Sequence, residues 1–387
     1  MTGGAARPLG LYVHVPYCAV RCSYCDFYLM PGRGPDLPTF VEALCGEIAL
    51  AGRESGAPPA DTIHFGGGTP SLLPPTLLSA VLASLKSSFR VSATAELALE
   101  ANPEDLDAVR LDGYAAAGVN RVSIGVQSLD DDLLKLMRRP HDARRALASV
   151  DAARLSAVRS LGIDLILGLP GQQRTRVTDD IRRIVDRGVD HVSLYLLEVH
   201  ERTRLGREVA LGRRTPMGDD EAAHLYEDAA DELLNQGFEH YEISNFARPG
   251  HRSRHNLKYW TDEEYLGFGP SAHSYVGERR WANAADLRDY LARRGERCAR
   301  VEDVRSRDRR AFEALFAGLR LSEGVDLEAL RARYGDAFVP PGEACLGALA
   351  QSGLVERAPD RLRLTRRGRL VSNEIFERLM SPADQLM

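Results

Sequence analysis

Three cysteines stand close together in "CAVRCSYC", Cys18, Cys22 and Cys25, directly after the apolar run "LYVHV". Thiolates at C-x3-C-x2-C spacing reach one metal centre from a single turn of loop, and soft sulfur donors suit zinc or an iron–sulfur cluster. A structural zinc needs four protein ligands, for which His14 is the nearest fourth donor. A cubane [4Fe–4S] cluster held by three cysteines instead keeps one iron open to chelate a small molecule. Other signals would serve such a molecule. The glycines of "GGGTP" allow close backbone approach, and the stretch lacks the features of a phosphate loop or dinucleotide fold. Glu100, Gln127, Arg139 and Asp164 supply charged and hydrogen-bonding groups.

The elements that must position these residues are short β-rich runs alternating with helical segments. "LYVHV", "TIHFGG", "ELALEAN", "RVSIGVQ", "GIDLILGLPG", "HVSLYLLEV" and "HYEISNFA" are separated by stretches of helical periodicity such as Phe40–Ala51 and Glu221–Gln236. Such alternation predicts parallel strands joined by helical crossovers, an α/β fold closing as a complete or partial (β/α) barrel. Chemistry in these barrels sits at the C-terminal strand ends, where the cysteines, "GGGTP", "EANPE", "GVQS" and "GLPGQ" successively fall. The pattern changes near Asp303. Helices, a strand-turn-strand in "GLVERAPDRLRLTRRGR" and a last helix predict a small winged-helix-like α+β domain, so the expected division is 1–290 and 303–387. The run "RVEDVRSRDRR" reads as a solvated helix face at the junction.

Bulk properties narrow the function classes. A chain of 387 residues with 44% hydrophobic content can bury a large core. Its net charge of −5 comes from acids and bases mixed along the whole length, and Arg366, Arg367 and Arg369 are few for a DNA-reading module, so nucleic acid is not an expected partner. No apolar run approaches a membrane span and "MTGGAARPLG" has no signal-like core, which predicts a cytoplasmic protein. Cysteines clustered in one loop, with Cys45, Cys298 and Cys345 scattered singly, suit a metal site in a reducing compartment, the scattered three being buried small hydrophobes.

With the cysteine loop after the first strand and a Gly-rich stretch after the second, nearly the whole chain resembles the radical S-adenosylmethionine (SAM) superfamily. The resemblance implies a [4Fe–4S] cluster on Cys18, Cys22 and Cys25. It also implies a SAM site formed by Tyr12, Tyr24, Gly67, Gly68, Thr69, Glu100, Gln127, Arg139 and Asp164, as in the oxygen-independent coproporphyrinogen III oxidase group. Two departures from the porphyrinogen-oxidising members matter. Phe27 stands where they carry a further cysteine, and the lead before Cys18 is short. Both features, with "HNLKYW" as an H-N-x-x-Y-W pattern followed by "GFGPSAHSY", are similar instead to the heme chaperone family HemW.

Heme is a flat apolar disc with two carboxylates and a need for axial ligands. His255 suits ligation, Tyr259 and Trp260 stacking, and Arg252, Arg254 or Lys258 the propionates, with Asn256 in the same motif. A packed loop with hydrogen-bonded polar tips is the plain alternative, and His273 reads as a second ligand, a site wall or a core histidine. The resemblance implies heme and heme-acceptor proteins, respiratory cytochromes among them, as partners, with transient membrane-protein contact and a homodimer as further expectations. The rival reading is a radical SAM methylase, cyclopropanase or porphyrin-modifying oxidoreductase on the same scaffold.

Overall fold

The computed structural model describes residues 7–32, 34, 36–293 and 300–379. Six parallel strands lie side by side in chain order: β1 (Leu9–Val15), β2 (Pro59–Gly67), β3 (Arg90–Ala101), β4 (Arg121–Gln127), β5 (Ser160–Leu167) and β6 (His191–Leu196). The crossovers are α1 (Leu37–Ser55), α2 (Pro75–Ser88), α3 (Ala108–Ala117), α4 (Asp131–Leu136) with α5 (Ala143–Leu155), and α6 (Arg174–Val185), followed after β6 by α7 (Arg204–Ala210) and α8 (Asp219–Asn235). This is the partial barrel the alternation predicts. No helix among the described residues is long and apolar enough to cross a membrane.

Two-residue periodicity gives the sheet its chemistry. Leu11, Val13, Ile63, Phe65, Leu97, Leu99, Val122, Ile124, Ile163, Leu165, Val192 and Leu194 are buried in one cluster with apolar residues of the helices. The alternate positions, among them Tyr12, His64, Glu100, Ser123, Asp164 and Ser193, carry polar groups that bond or stack with one another across the concave face.

The sheet departs from the predicted alternation at both edges. "HYEISNFA" is not a further parallel strand but the antiparallel pair β7 (Glu239–Glu242) and β8 (Asn245–Ala247), because the chain turns at once through Ile243–Ser244 and lays β8 against β6. After α9 (Arg254–Trp260), β9 (Tyr265–Phe268) joins β1 in parallel and β10 (His273–Val276) and β11 (Arg279–Asn283) extend that edge antiparallel. Next, α10 (Leu287–Ala292) reaches back to α1, where Tyr290 donates to Glu47 at 2.8 Å. The run "RVEDVRSRDRR" is likewise divided. Its first part is β12 (Arg300–Val304), paired with β11, and the helix α11 (Arg307–Leu319) begins only after Ser306, whose hydroxyl accepts from the Arg309 backbone N–H.

The C-terminal residues form α12 (Leu327–Tyr334) and α13 (Glu343–Gln351), with α14 (Arg366–Leu370), α15 (Ser372–Leu379) and a three-stranded sheet of β13 (Val325–Asp326), β14 (Val355–Arg357) and β15 (Arg361–Leu364). A second hydrophobic cluster lies beneath them, from Ala311 to Leu379. Arg366 pairs with Asp231 and Arg369 meets His240 at 2.6 Å, so two of the three basic residues noted there face the barrel. Cys45 and Cys345 are half-buried beside the two clusters rather than enclosed by them, and Cys298 lies outside the described residues.

Candidate functional site

The cysteine loop is held at both its base and its tip. Tyr17–Cys18 pairs with Met30–Pro31, and Gly32 N–H donates to Cys18 O at 2.7 Å. At the tip, Ser23 donates from its backbone to Met137 O at 3.0 Å and from its hydroxyl to Leu136 O at 2.9 Å, while its carbonyl accepts from Leu205 N–H. The loop is thereby fixed between the segment after α4 and the start of α7. All three thiols are free, Cys18 buried and the other two partly so.

Above them opens a cavity of about 480 Å³ at the C-terminal ends of the strands. It is lined by Cys18, Cys22, Cys25, Tyr24, Gly67, Gly68, Thr69, Glu100, Gln127, Arg139 and Asp164, so these eleven of the twelve residues assigned to cluster and cofactor share one wall. Tyr12 lies deeper, its ring 6.0 Å from His64 and 6.4 Å from His255, its hydroxyl 3.3 Å from His14 Nδ1. The glycines are needed sterically. Gly67 has φ +107° and a Cβ there would meet the His14 ring at 2.7 Å, while one on Gly68 would meet Tyr17 O at 2.6 Å.

Polar contacts tie the thiols to the wall. Thr69 Oγ1 donates to Cys18 Sγ at 3.2 Å and accepts from Asn102 Nδ2 at 3.2 Å. Arg139 reaches Cys22 Sγ at 3.4 Å, Asn102 Oδ1 at 2.6 Å and Gly125 O at 2.9 Å. Burial pushes the Cys18 thiol up to about 11, with the Thr69 hydroxyl opposing it, so binding a metal there releases a proton. Burial also pushes Asp164 up to about 6, against hydrogen bonds from Ser193 and Ser123, and the Glu100 carboxylate adds to the rise.

The donor set discriminates between the two metal readings. Among the described residues no three His, Cys, Asp or Glu side chains converge as a single ion requires. His14 is no fourth zinc donor, since its ring nitrogens meet Tyr12 and the carbonyl of Tyr28. Three free thiols without a fourth ligand fit a cluster that binds one thiolate per iron. The wall also has unmet bonding capacity. Gln127 sits at a bulge with φ +66°, a left-handed conformation unusual for its type, and its buried Oε1 has no partner; nor has Arg139 Nε.

The H-N-x-x-Y-W segment lies at the opposite, N-terminal end of the barrel. It is α9, capped by the Ser253 hydroxyl. His255 is fully buried, with Nδ1 2.8 Å from Thr62 Oγ1, Nε2 2.9 Å from the Tyr259 hydroxyl and its backbone N–H on Glu96 at 3.0 Å. Asn256 lines an inner cavity of about 50 Å³ that also touches Glu100 and Asp164. Trp260 borders a groove of about 640 Å³ shared with Ala314, Gly318, Leu330 and Arg333, and the Arg320 guanidinium lies 4.5 Å from its ring centre. The cations proposed for propionates already have partners: Arg252 with Glu239 and Glu323, Arg254 with Asp61, and Lys258 with Asp61 and Glu263. His273 is exposed on β10.

Sequence reasoning passed over Asn102, which links Thr69 to Arg139, and Ser123 and Ser193, which hold Asp164. Parity was the available signal for the two serines. Ser123 alternates with the buried Val122 and Ile124 on β4, and Ser193 with the buried Val192 and Leu194 on β6, which puts both on the concave face.

Profiles of two families match the chain, the Radical SAM superfamily over residues 12–184 and the HemN C-terminal domain over residues 306–371. It is 37% identical over 382 residues to "Heme chaperone HemW" of Mycobacterium tuberculosis, which covers 97% of this chain and 95% of that one. With the protein of the same name from Bacillus subtilis the identity is 33% over 368 residues, covering 94% and 97%. Among solved structures, coproporphyrinogen III oxidase (HemN) from Escherichia coli has a TM-score of 0.83 at 24% identity, covering 97% of this chain and 90% of that one, a likeness of fold. With the Radical SAM and HemN C-terminal profiles both matching, and with these relatives covering 94–97% of its length at 33–37% identity, this chain belongs to the HemW family of radical SAM proteins.

Proposed function

We propose that this protein is a heme chaperone on a radical SAM scaffold. It carries a [4Fe–4S] cluster on Cys18, Cys22 and Cys25, takes SAM into the adjoining cavity, binds heme and passes it to acceptor proteins, without coproporphyrinogen III dehydrogenase activity. The observation that carries this reading is the near-full-length identity to relatives named heme chaperones. Phe27 supports it, because an apolar side chain, 66% exposed at the cavity mouth, stands where the oxidising enzymes have a further cysteine.

Bound there, the cluster would supply one-electron reducing chemistry to the SAM sulfonium. The chain's own part is to position. Arg139 and Thr69 stabilise the Cys22 and Cys18 sulfurs by donating to them, and Gly67 and Gly68 leave room for backbone contact with SAM. Glu100, Gln127 and Asp164 offer hydrogen-bonding groups on neighbouring strands, while Tyr24 closes the wall beside Cys22 and Tyr12 supports it from below.

For heme the proposed element is α9. Trp260 offers an indole face at the groove, and His255 becomes an axial donor only when its bonds to Thr62 and Tyr259 open, with Asn256 and Tyr259 moving in the same step. The test is anaerobic reconstitution followed by separate additions. About four iron and four sulfide per chain, a paramagnetic signal that SAM shifts, and a Soret band at about one heme per chain are expected. A protein that ignores heme yet converts SAM and a second substrate into a methylated or cyclopropanated product overturns the reading.

A further inference from the structure

At the seam between the barrel and the C-terminal residues, α8, His240 of β7 and α14 enclose a pocket of about 280 Å³. One charge in it is unanswered. Arg366 is committed to Asp231 and to the carbonyl of Glu227 at 3.0 Å, and the nearby Arg363 is paired with Glu356. Arg369 has no carboxylate partner among the described residues. Its Nη1 donates to His240 Nδ1 at 2.6 Å, and its buried Nε meets nothing.

His240 cannot compensate that charge. Its ring stacks on Phe246 at 4.1 Å, and Nε2 lies 3.3 Å from Ile243 O and 3.2 Å from the Tyr226 hydroxyl. A proton on Nε2 directed there leaves Nδ1 bare to accept from Arg369. Burial, reinforced by the Arg369 charge, holds this imidazole down at about 3, so the ring is neutral. A half-buried guanidinium met by a neutral ring loses hydration without an ionic return.

The arginine is held in place. The Thr365 hydroxyl accepts from Gly368 N–H at 2.9 Å and donates to Gly353 O at 2.7 Å, which seats α14, and Leu370 packs against the barrel's hydrophobic cluster. The rest of the pocket is largely apolar, with Ala230, Leu370 and Leu234, the last 43% exposed. Glu227 in the lining, with Asp231 beside it on α8, disfavours an occupant carrying two negative charges.

We propose that this pocket binds a monocarboxylate with a short apolar body, the carboxylate on Arg369 and the carbon chain against Leu234 and Leu370. The Nε–Nη2 edge of a guanidinium takes a carboxylate side-on through two parallel hydrogen bonds. A free organic acid and the terminal carboxylate of a protein ending in an apolar residue share this chemistry. Either one, bound there, joins α14 to α8 and β7 and so ties the C-terminal residues to the barrel.

The test uses the full chain, with isovalerate, acetate, inorganic phosphate, a short peptide ending in leucine and the same peptide amidated as separate probes in calorimetric titration. Isovalerate should bind at one per chain with a Kd on the order of 1 mM or tighter, and should raise the melting temperature. Acetate should bind about tenfold more weakly, and phosphate more weakly than isovalerate. A peptide that outcompetes isovalerate and loses its binding on amidation assigns the site to a protein terminus; a peptide that does not bind assigns it to a free acid. Arg369→Gln should cost isovalerate at least about tenfold in affinity. Leu234→Ser, at a surface position that spares the fold, should bring isovalerate to within about threefold of acetate, and it decides the matter if the arginine variant does not fold. No saturable binding of isovalerate or the peptide, isovalerate affinity unchanged by either substitution, phosphate binding more tightly than isovalerate, or an amidated peptide that binds as well as the free one overturns the proposal.

Discussion

The two ends of the barrel use the same kinds of residue to opposite effect. At the C-terminal end, thiols, a guanidinium, carboxylates and an amide face an open cavity, and some of their bonding capacity is unmet. At the N-terminal end α9 acts as a plug, although its buried Trp260 Nε1 also lacks a partner. His255 meets Thr62, Tyr259 and Glu96, and Lys258 meets Asp61, Glu263 and Pro8 O. A buried polar group with its partners made stabilises a fold, whereas one with open valence awaits a ligand. The contrast is between groups already free to meet a ligand and groups that must first give up their partners, within one polar interior.

The sharpest way to break that contrast is at the cysteines. Cys22→Ala should abolish the iron and sulfide content entirely while leaving the far-ultraviolet circular dichroism and melting temperature nearly unchanged, because Ser23 and the loop base still hold the backbone. A large drop in melting temperature would make the loop part of the architecture.

His255→Ala should do the reverse. Losing a buried ring and stranding Thr62 and Tyr259 should cost about 2–4 kcal/mol in urea unfolding with the iron content intact. The heme-bound variant adds a second readout, since a displaced Soret band would show that the imidazole leaves the plug to ligate iron.

A third experiment concerns Asp164, whose carboxyl is held near 6 by burial. Its folded-state value lies above its unfolded one, so the stability this confers is present below about pH 4 and is lost as pH rises through about 6. Asp164→Asn should flatten that slope in the ligand-free protein. Asp164→Ala should weaken SAM binding by about 1–3 kcal/mol with the cluster in place. Loss of the cluster would move Asp164 to the structural side of the contrast.

The smallest effect is expected at Phe27. Phe27→Ser should change stability by no more than about 0.5 kcal/mol, because the ring is already in solvent. A larger loss in a calorimetric melt would mean that the cavity mouth is itself a packed element.

The top of the barrel was far more legible than the bottom. Cys18, Cys22, Cys25 and the glycines belong to short motifs whose chemistry is local, and strand ends place such motifs on one rim whatever the helices do. His255 carries no such information. A histidine beside two aromatics looks the same whether it faces a ligand or Thr62, and only the packing of α9 under β2 and β3 decides. Tyr12 shows the same limit, because the strand fixes its face but not its depth. At the sheet edge, "HYEISNFA" has the composition of a barrel strand, and its antiparallel path depends on the turn at Ile243–Ser244, which composition does not reveal.

The three bonds made by Ser23 also set an order of events during synthesis. The cysteines are made early, but Met137 and Leu136 lie more than a hundred residues downstream and Leu205 later still. A chain still emerging from the ribosome has its thiols before it has anything to hold their loop. Contacts of such long sequence separation form late in folding. On the proposed cluster reading, loading into a correctly set loop follows completion of the sixth strand and α7. Thiols made available sooner are unprotected against oxidation, which gives the cell a reason to supply iron and sulfide to finished chains rather than nascent ones.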